Sequence, residues 1–260
     1  MPGRNNQRRS SGWTRDLAAL WLGLFAVTGC RHAGAAPAGV PLPEPTQLVT
    51  VITEGWNDFH ARLQRYSRDA QGSWRADGAP IAAVIGRSGL GWGRGLHGNG
   101  APAGLAGPEK REGDLRSPAG RFALGQVYGY AEGDPHVALH YQPATPELRC
   151  VDDPESAHYN QIVALGETHA DWESAEHMRR TDALYELAIV VEHNTHDRVP
   201  GEGSCIFLHV WAAPETPVTG CTAMDRQSLQ TLAHWLRPGA VLVSLPRAEY
   251  DALKGPWGLP

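Results

Sequence analysis

The sequence predicts a mainly β domain with a few helices, an α+β chain in which strands dominate. Three observations carry that prediction. Short runs rich in β-branched and aromatic residues recur along the chain, glycine and proline clusters separate them, and one segment alone has strong helical periodicity. With 260 residues, 42% of them hydrophobic and 20% charged, the chain is long enough for one sizeable core and has an ordinary globular composition.

Two segments precede the folded body. Residues 1–29 read as a signal peptide. Arg4, Arg8, Arg9 and Arg15 form a basic start, and the apolar stretch Leu17 to Val27 is shorter than the ~20 residues that a membrane helix needs. The stretch "VTGC" that ends at Cys30 resembles a bacterial lipobox, which implies lipidation of Cys30 and a membrane anchor in the bacterial envelope. Arg31 follows in place of the aspartate associated with inner-membrane retention, so the expected location is a periplasm-facing lipoprotein of the outer membrane. Residues 30–46, "CRHAGAAPAGVPLPEPT", are too poor in large apolar side chains to offset their ordering entropy and read as a tether. The folded domain is expected over residues 47–260.

"QLVTVIT" (Gln47 to Thr53) and "PIAAVIG" (Pro80 to Gly86) read as strands, while Trp56 to Asp69 between them fits a helix or a hairpin equally well. The glycine-dense run from Gly86 to Gly107 is a loop region; it lacks the glycine spacing or Lys-Ser/Thr ending of a phosphate-binding loop. Further strands are expected within Gly120 to Ala131, Leu184 to Asn194, Cys205 to Trp211 and Ala240 to Pro246. The long apolar runs in the second and fourth suggest central strands buried on both faces. "ADWESAEHMRR" (Ala170 to Arg180) suggests a helix started by Asp171 or Ser174. A stronger helix follows Asp225, with Leu229, Leu232, Ala233 and Leu236 at helical spacing and Pro238-Gly239 as its stop.

Charge and cysteine usage narrow the function. Removing residues 1–29 leaves 19 basic against 27 acidic residues, formally −8, and such a balance disfavours nucleic acid as a partner. Three cysteines, Cys150, Cys205 and Cys221, remain after Cys30. In an oxidising compartment one pair can bridge and one thiol is left over, with all three pairings open at this level.

"IFLHVWAAPETPVTGCTAM" (Ile206 to Met224) places a histidine on a strand, a proline-punctuated loop after it, and then Gly220-Cys221. A thiol attacks as the thiolate, so a nucleophilic cysteine needs a base or a positive environment. His209 can reach Cys221 if the loop through Pro214 and Pro217 folds back. N–H groups around Gly220 to Thr222, ahead of the Asp225 helix, are candidate oxyanion donors. Trp211 shares the strand face of His209 and could wall an acyl pocket, and His193 is a further candidate for the pocket lining.

"FLHVW…VTGCTAM" resembles the signature of the L,D-transpeptidase catalytic domain (YkuD type). "GDLRSPAGRFAL" (Gly113 to Leu124) is similar to that family's Ser/Thr-Pro-x-Gly-x-Phe segment through Ser117-Pro118-Ala119-Gly120-Arg121-Phe122. The resemblance covers about Gly113 to Pro246. It implies a β-sandwich catalytic domain, Cys221 as nucleophile and His209 as base, no cofactor, and peptidoglycan stem peptides as substrate. The acyl group then passes to an amine, or to water in carboxypeptidase variants; a catalytically weak peptidoglycan-binding relative is the remaining alternative. Family members often carry a histidine before the glycine and an arginine or asparagine two residues after the cysteine, where this chain has Thr219 and Ala223. With Cys221 assigned to catalysis by that resemblance, the preferred disulfide joins Cys150 to Cys205 and braces the strand that carries His209.

Other chemistries fit less well. The histidines of "EHNTHD" (Glu192 to Asp197) and "HADWESAEH" (His169 to His177) match no zinc-hydrolase spacing, so no metal is expected. Trp74, Trp172 and Trp235 read as core or rim. No carboxylate pair suited to glycan cleavage stands out, and "VDDPE" (Val151 to Glu155) reads as a turn.

Overall fold

The computed structural model describes residues 44–260. The expected signal segment, the lipidation site Cys30 and most of the tether lie outside the described residues. The fold is mainly β, of the class that the sequence predicts.

Gln47–Thr53 forms a strand at the predicted boundaries, buried almost throughout, and pairs in parallel with Val241–Pro246 and antiparallel with His60–Arg68. The ambiguous segment after Trp56 is therefore a strand of a hairpin and not a helix. Its apolar residues follow neither period cleanly: only Leu63 and Gln64 are buried along its length. The main sheet runs, by strand, Gln47–Thr53, Val241–Pro246, Ser117–Gly129, Leu187–Val191, Phe207–Val210, Thr222–Met224, Ile81–Val84 and His60–Arg68. Pairing of the last with the first closes the path on itself. Inside lie Leu48, Val51, Phe122, Ile189, Leu208, Met224 and Leu242, all essentially without solvent access.

The predicted helix forms as Arg226–Trp235. The Asp225 carboxylate accepts from the Ser228 N–H at 2.9 Å, and Leu229, Leu232 and Ala233 are buried against the core. A short helix, Arg247–Leu253, follows the last strand and had no clear sequence signal. The glycine-dense loop contains three short strands, Leu90–Trp92, Arg94–Gly95 and Gly98–Asn99. The first of them pairs with Ser117–Ala119, which brings that loop against the Ser-Pro-x-Gly-x-Phe segment. Gly120 there has φ +139° and lies against the His97 ring, where no Cβ fits.

The helix expected over Ala170 to Arg180 does not form. That stretch instead supplies a strand, Ala175–His177, which pairs antiparallel with Leu148–Val151 in a separate three-stranded sheet completed by Ile162–Ala164. Asp171, read as a helix cap, accepts from the Ser156 hydroxyl and the Ala157 N–H, so its carboxylate ties down the loop before the strand. "VDDPE" is a turn as predicted: the Asp153 carboxylate accepts from the N–H groups of Glu155 and Glu173. Trp235 is packed against the core, with Trp74 beside it.

Cys150 of the small sheet is bonded to Cys205, the residue two before the Phe207–Val210 strand. The bridge spans 55 positions, and restricting the unfolded chain over such a loop stabilises the fold by about 4 kcal/mol on the chain-entropy estimate. Replacing both residues by serine is expected to lower the unfolding free energy by about that amount, read from urea unfolding at neutral pH. A loss near zero would mean that packing alone holds the small sheet in place.

Candidate active site

The Phe207–Val210 and Thr222–Met224 strands run parallel, with Leu208 opposite Thr222 and His209 opposite Ala223. Cys221 therefore lies two residues back from His209, beside Phe207. The sulfur accepts from the Phe207 N–H at 3.3 Å, and its own hydrogen is directed at the Cys205 carbonyl, 3.5 Å away. Cys221 is free, and it is 5% exposed. The Ser117 hydroxyl donates to the Cys221 carbonyl at 2.6 Å while accepting from the Gly86 N–H. One buried side chain thus fixes the peptide plane of the cysteine and joins the two segments that carried the family resemblance.

His209 is buried, and its Nδ1 donates to the Val210 carbonyl at 2.8 Å. In the neutral ring that leaves Nε2 as the unprotonated nitrogen. The group that orients the imidazole is thus a backbone carbonyl. No hydrogen bond joins the imidazole to the sulfur in this conformation, because each is committed to backbone partners of its own. The two stand as diagonal neighbours on one face of the sheet.

Burial keeps both groups neutral. It pushes the Cys221 thiol up to about 12, an effect to which the Glu176 carboxylate adds and which the Phe207 N–H opposes. It pushes His209 down to about 4, against the favourable pull of the Val210 carbonyl.

Two residues that sequence reasoning missed complete the surroundings. The Tyr185 ring packs edge-on against Phe207 and His209, with centroids 5.5 Å and 5.1 Å away. Its hydroxyl donates to Glu176 at 2.5 Å. Neither lies in a recognisable motif: Glu176 falls in the segment expected to be a helix, and Tyr185 in the turn that precedes the Leu187–Val191 strand.

The remaining predicted site residues fall in different places. Gly220 is buried and Thr222 is a strand residue, so the strand separates Cys221 from the helix N-terminus expected to face it. The oxyanion reading therefore rests on the Gly220 and Cys221 N–H groups and not on the helix dipole. Thr219 is exposed and Trp211 half-buried just past the strand end. His193 is fully enclosed away from the sulfur: its Nδ1 accepts from the Arg94 N–H and its Nε2 donates to the Glu202 carbonyl. Gly93 of the glycine-dense loop and Gly203 beyond it make this burial feasible, since a Cβ at either would collide with the ring. His193 is thus a structural residue of that loop and is withdrawn from the pocket lining.

A cavity of about 750 Å³ opens on the same sheet face. Glu192, Gln126, Arg94, His196 and Arg198 are among its polar lining. Cys221 and His209 do not line it, but it ends at Cys205 and Phe207, the two residues whose backbone holds the sulfur.

The family model described as the L,D-transpeptidase catalytic domain (YkuD) matches residues 60–244, a span that contains Ser117, His209 and Cys221. No curated protein and no solved structure matches the chain.

The depressed His209 value gives a signed pH dependence. A histidine held below its ordinary value stabilises the fold fully above pH 6.5, and that contribution is lost as pH falls toward about 4. By pH 4 the loss is about 3 kcal/mol. His209→Gln is expected to remove this part of the acid slope of urea stability while leaving the further fall due to His193, which burial pushes to about 3. An unchanged slope would place His209 in a solvated setting.

Proposed function

The chain belongs to the L,D-transpeptidase catalytic-domain family, and from that membership we propose that it is a cysteine acyltransferase acting on peptidoglycan stem peptides, with Cys221 as nucleophile and His209 as base. The observation that carries this reading is the placement of Cys221, the free thiol among the described residues, on the same sheet face as His209 and held by the backbone of Cys205 and Phe207, which line a large cavity.

The chemistry proceeds by general-base and covalent catalysis. The thiol turns from the Cys205 carbonyl toward His209, and its proton passes to Nε2. The thiolate attacks the amide carbonyl of the donor peptide, and the Gly220 and Cys221 N–H groups receive the oxyanion. The C–N bond breaks, the imidazolium protonates the departing amine, and a thioester remains on Cys221. An acceptor amine then attacks the thioester, loses its proton to His209 and releases the sulfur. The carboxypeptidase alternative differs only in that water takes the place of the amine. The lipobox-like segment at Cys30 supports an envelope lipoprotein, membrane-attached through lipid on Cys30 and facing the periplasm from the outer membrane.

Incubation with a carbapenem is expected to give a covalent adduct on the peptide that contains Cys221, seen by mass spectrometry and absent in Cys221→Ala. His209→Gln is expected to slow adduct formation by about 10²–10⁴-fold. With a disaccharide-tetrapeptide donor and a free amino acid, a new amide identifies the transferase, and loss of the terminal residue alone identifies the carboxypeptidase. An intact, unlabelled thiol in the folded protein would overturn the acyltransferase reading.

A further inference from the structure

We propose that Tyr185 is a second catalytic residue at Cys221 and that Glu176 is the residue that positions it, so that the Tyr185 hydroxyl serves as hydrogen-bond donor to the thiolate. The proposal rests on Cys221 being the reactive sulfur, as above.

The geometry forms a closed circuit around that sulfur. Cys221 is directed at the Cys205 carbonyl, and Cys205 is bonded to Cys150. Cys150 stands opposite Glu176 in the small antiparallel sheet. Glu176 holds the Tyr185 hydroxyl at 2.5 Å. Tyr185 in turn packs in one cluster with Phe207, Cys205 and Cys221. The covalent bridge therefore fixes the register of the strand that presents the carboxylate, and the carboxylate fixes the phenol beside the thiol.

Glu176 and Tyr185 act on the sulfur with opposite signs. The carboxylate disfavours the thiolate by like charge, whereas the hydroxyl favours it by donation. A phenol has one proton to give. While Glu176 is ionised it draws that proton; once Glu176 is protonated it donates to Oη, and the Tyr185 O–H is released to turn to Sγ. No proton leaves Tyr185 in this exchange; the thiol proton still goes to His209. Glu176 suits such a role, because burial moves it up to about 6. Asp152 and Glu112 add to that rise, and Arg180 and the Tyr185 bond oppose it. Arg180 also lies over the Tyr185 ring at 5.2 Å and is paired with Asp182. Lys110, itself buried and bound to Asp114, is a cation whose charge favours the thiolate.

The test measures the rate of Cys221 alkylation by iodoacetamide between pH 7 and 9, read by mass spectrometry on the intact oxidised protein and its peptides. Relative to the natural chain, Glu176→Gln is expected to alkylate about tenfold faster at each pH, and Tyr185→Phe added to Glu176→Gln, where no carboxylate draws the hydroxyl, about tenfold slower than Glu176→Gln alone, the effect of one pKa unit in each direction. A purely structural role would loosen the cluster in both variants and speed both. Shifts of the same sign, or an unchanged rate in either variant, overturn the proposal. The readout needs no peptidoglycan and no acyl transfer. Opposite shifts without carbapenem acylation would therefore overturn the proposed function and leave this inference standing, and acylation without opposite shifts would do the reverse.

Discussion

The parallel pairing of two very short strands, Phe207–Val210 and Thr222–Met224, is the constraint from which the rest of the site follows. Parallel neighbours cannot be joined by a tight hairpin and usually need a crossover of a dozen or more residues. Here the connection is the eleven positions from Trp211 to Cys221, stiffened by Pro214 and Pro217. Because strand partners in register present side chains to the same face, the pairing places Cys221 and His209 on one surface without a helix between them. It also fixes their offset: the sulfur meets the Phe207 N–H and the imidazole lies two residues further along, at His209. Ser117 then locks the cysteine from the far side, through its carbonyl.

Burial sets the electrical state of this arrangement. In water a thiol and an imidazole would share a proton readily; enclosed together, each is driven to its neutral form, since desolvation penalises any charge that lacks a partner. The described conformation is thus a capped resting state, with the sulfur satisfied by backbone groups. The cap is the three-stranded sheet that the disulfide attaches to Cys205, and it brings acidic as well as apolar side chains.

Strand positions in the large sheet were legible because the segments are short, β-branched and bounded by glycine or proline. Gln47–Thr53 and Val241–Pro246 lie where expected. The Asp225 helix was legible for a different reason, its cap and its buried leucines both being local. His60–Arg68 was not, since the strand is partly exposed on both faces and carries no clean alternation. Ala175–His177 failed for a physical reason too: its strand character comes from pairing with Leu148–Val151 and from the nearby disulfide, neither of which a local window contains. The same limit hid Tyr185 and Glu176, whose roles exist only after the small sheet is folded onto the large one. Cys221, His209 and Ser117 were legible as candidates because a motif ties each to a turn or strand end. Their mutual contacts were not, and His193, a further candidate for the pocket lining, is a loop support whose ring fills space left by two glycines.

The two departures from the family pattern can now be placed. Ala223 has no exposed surface, stands opposite both His209 and Val84, and sits at the seam where the Thr222–Met224 strand meets the Ile81–Val84 strand. A long cationic or amide side chain cannot be enclosed there without displacing the imidazole or an adjoining strand, so alanine at this position follows from the packing. The positive charge near the sulfur comes from elsewhere in this chain, with Lys110 lowering the cost of a thiolate. Position 219, before Gly220, is an exposed threonine and brings no second imidazole to the turn. A site with one histidine and no adjacent cation must draw its remaining hydrogen-bond donors from outside the turn. The Tyr185 phenol, held by Glu176 of the disulfide-bound sheet, packs in the same cluster as Cys221.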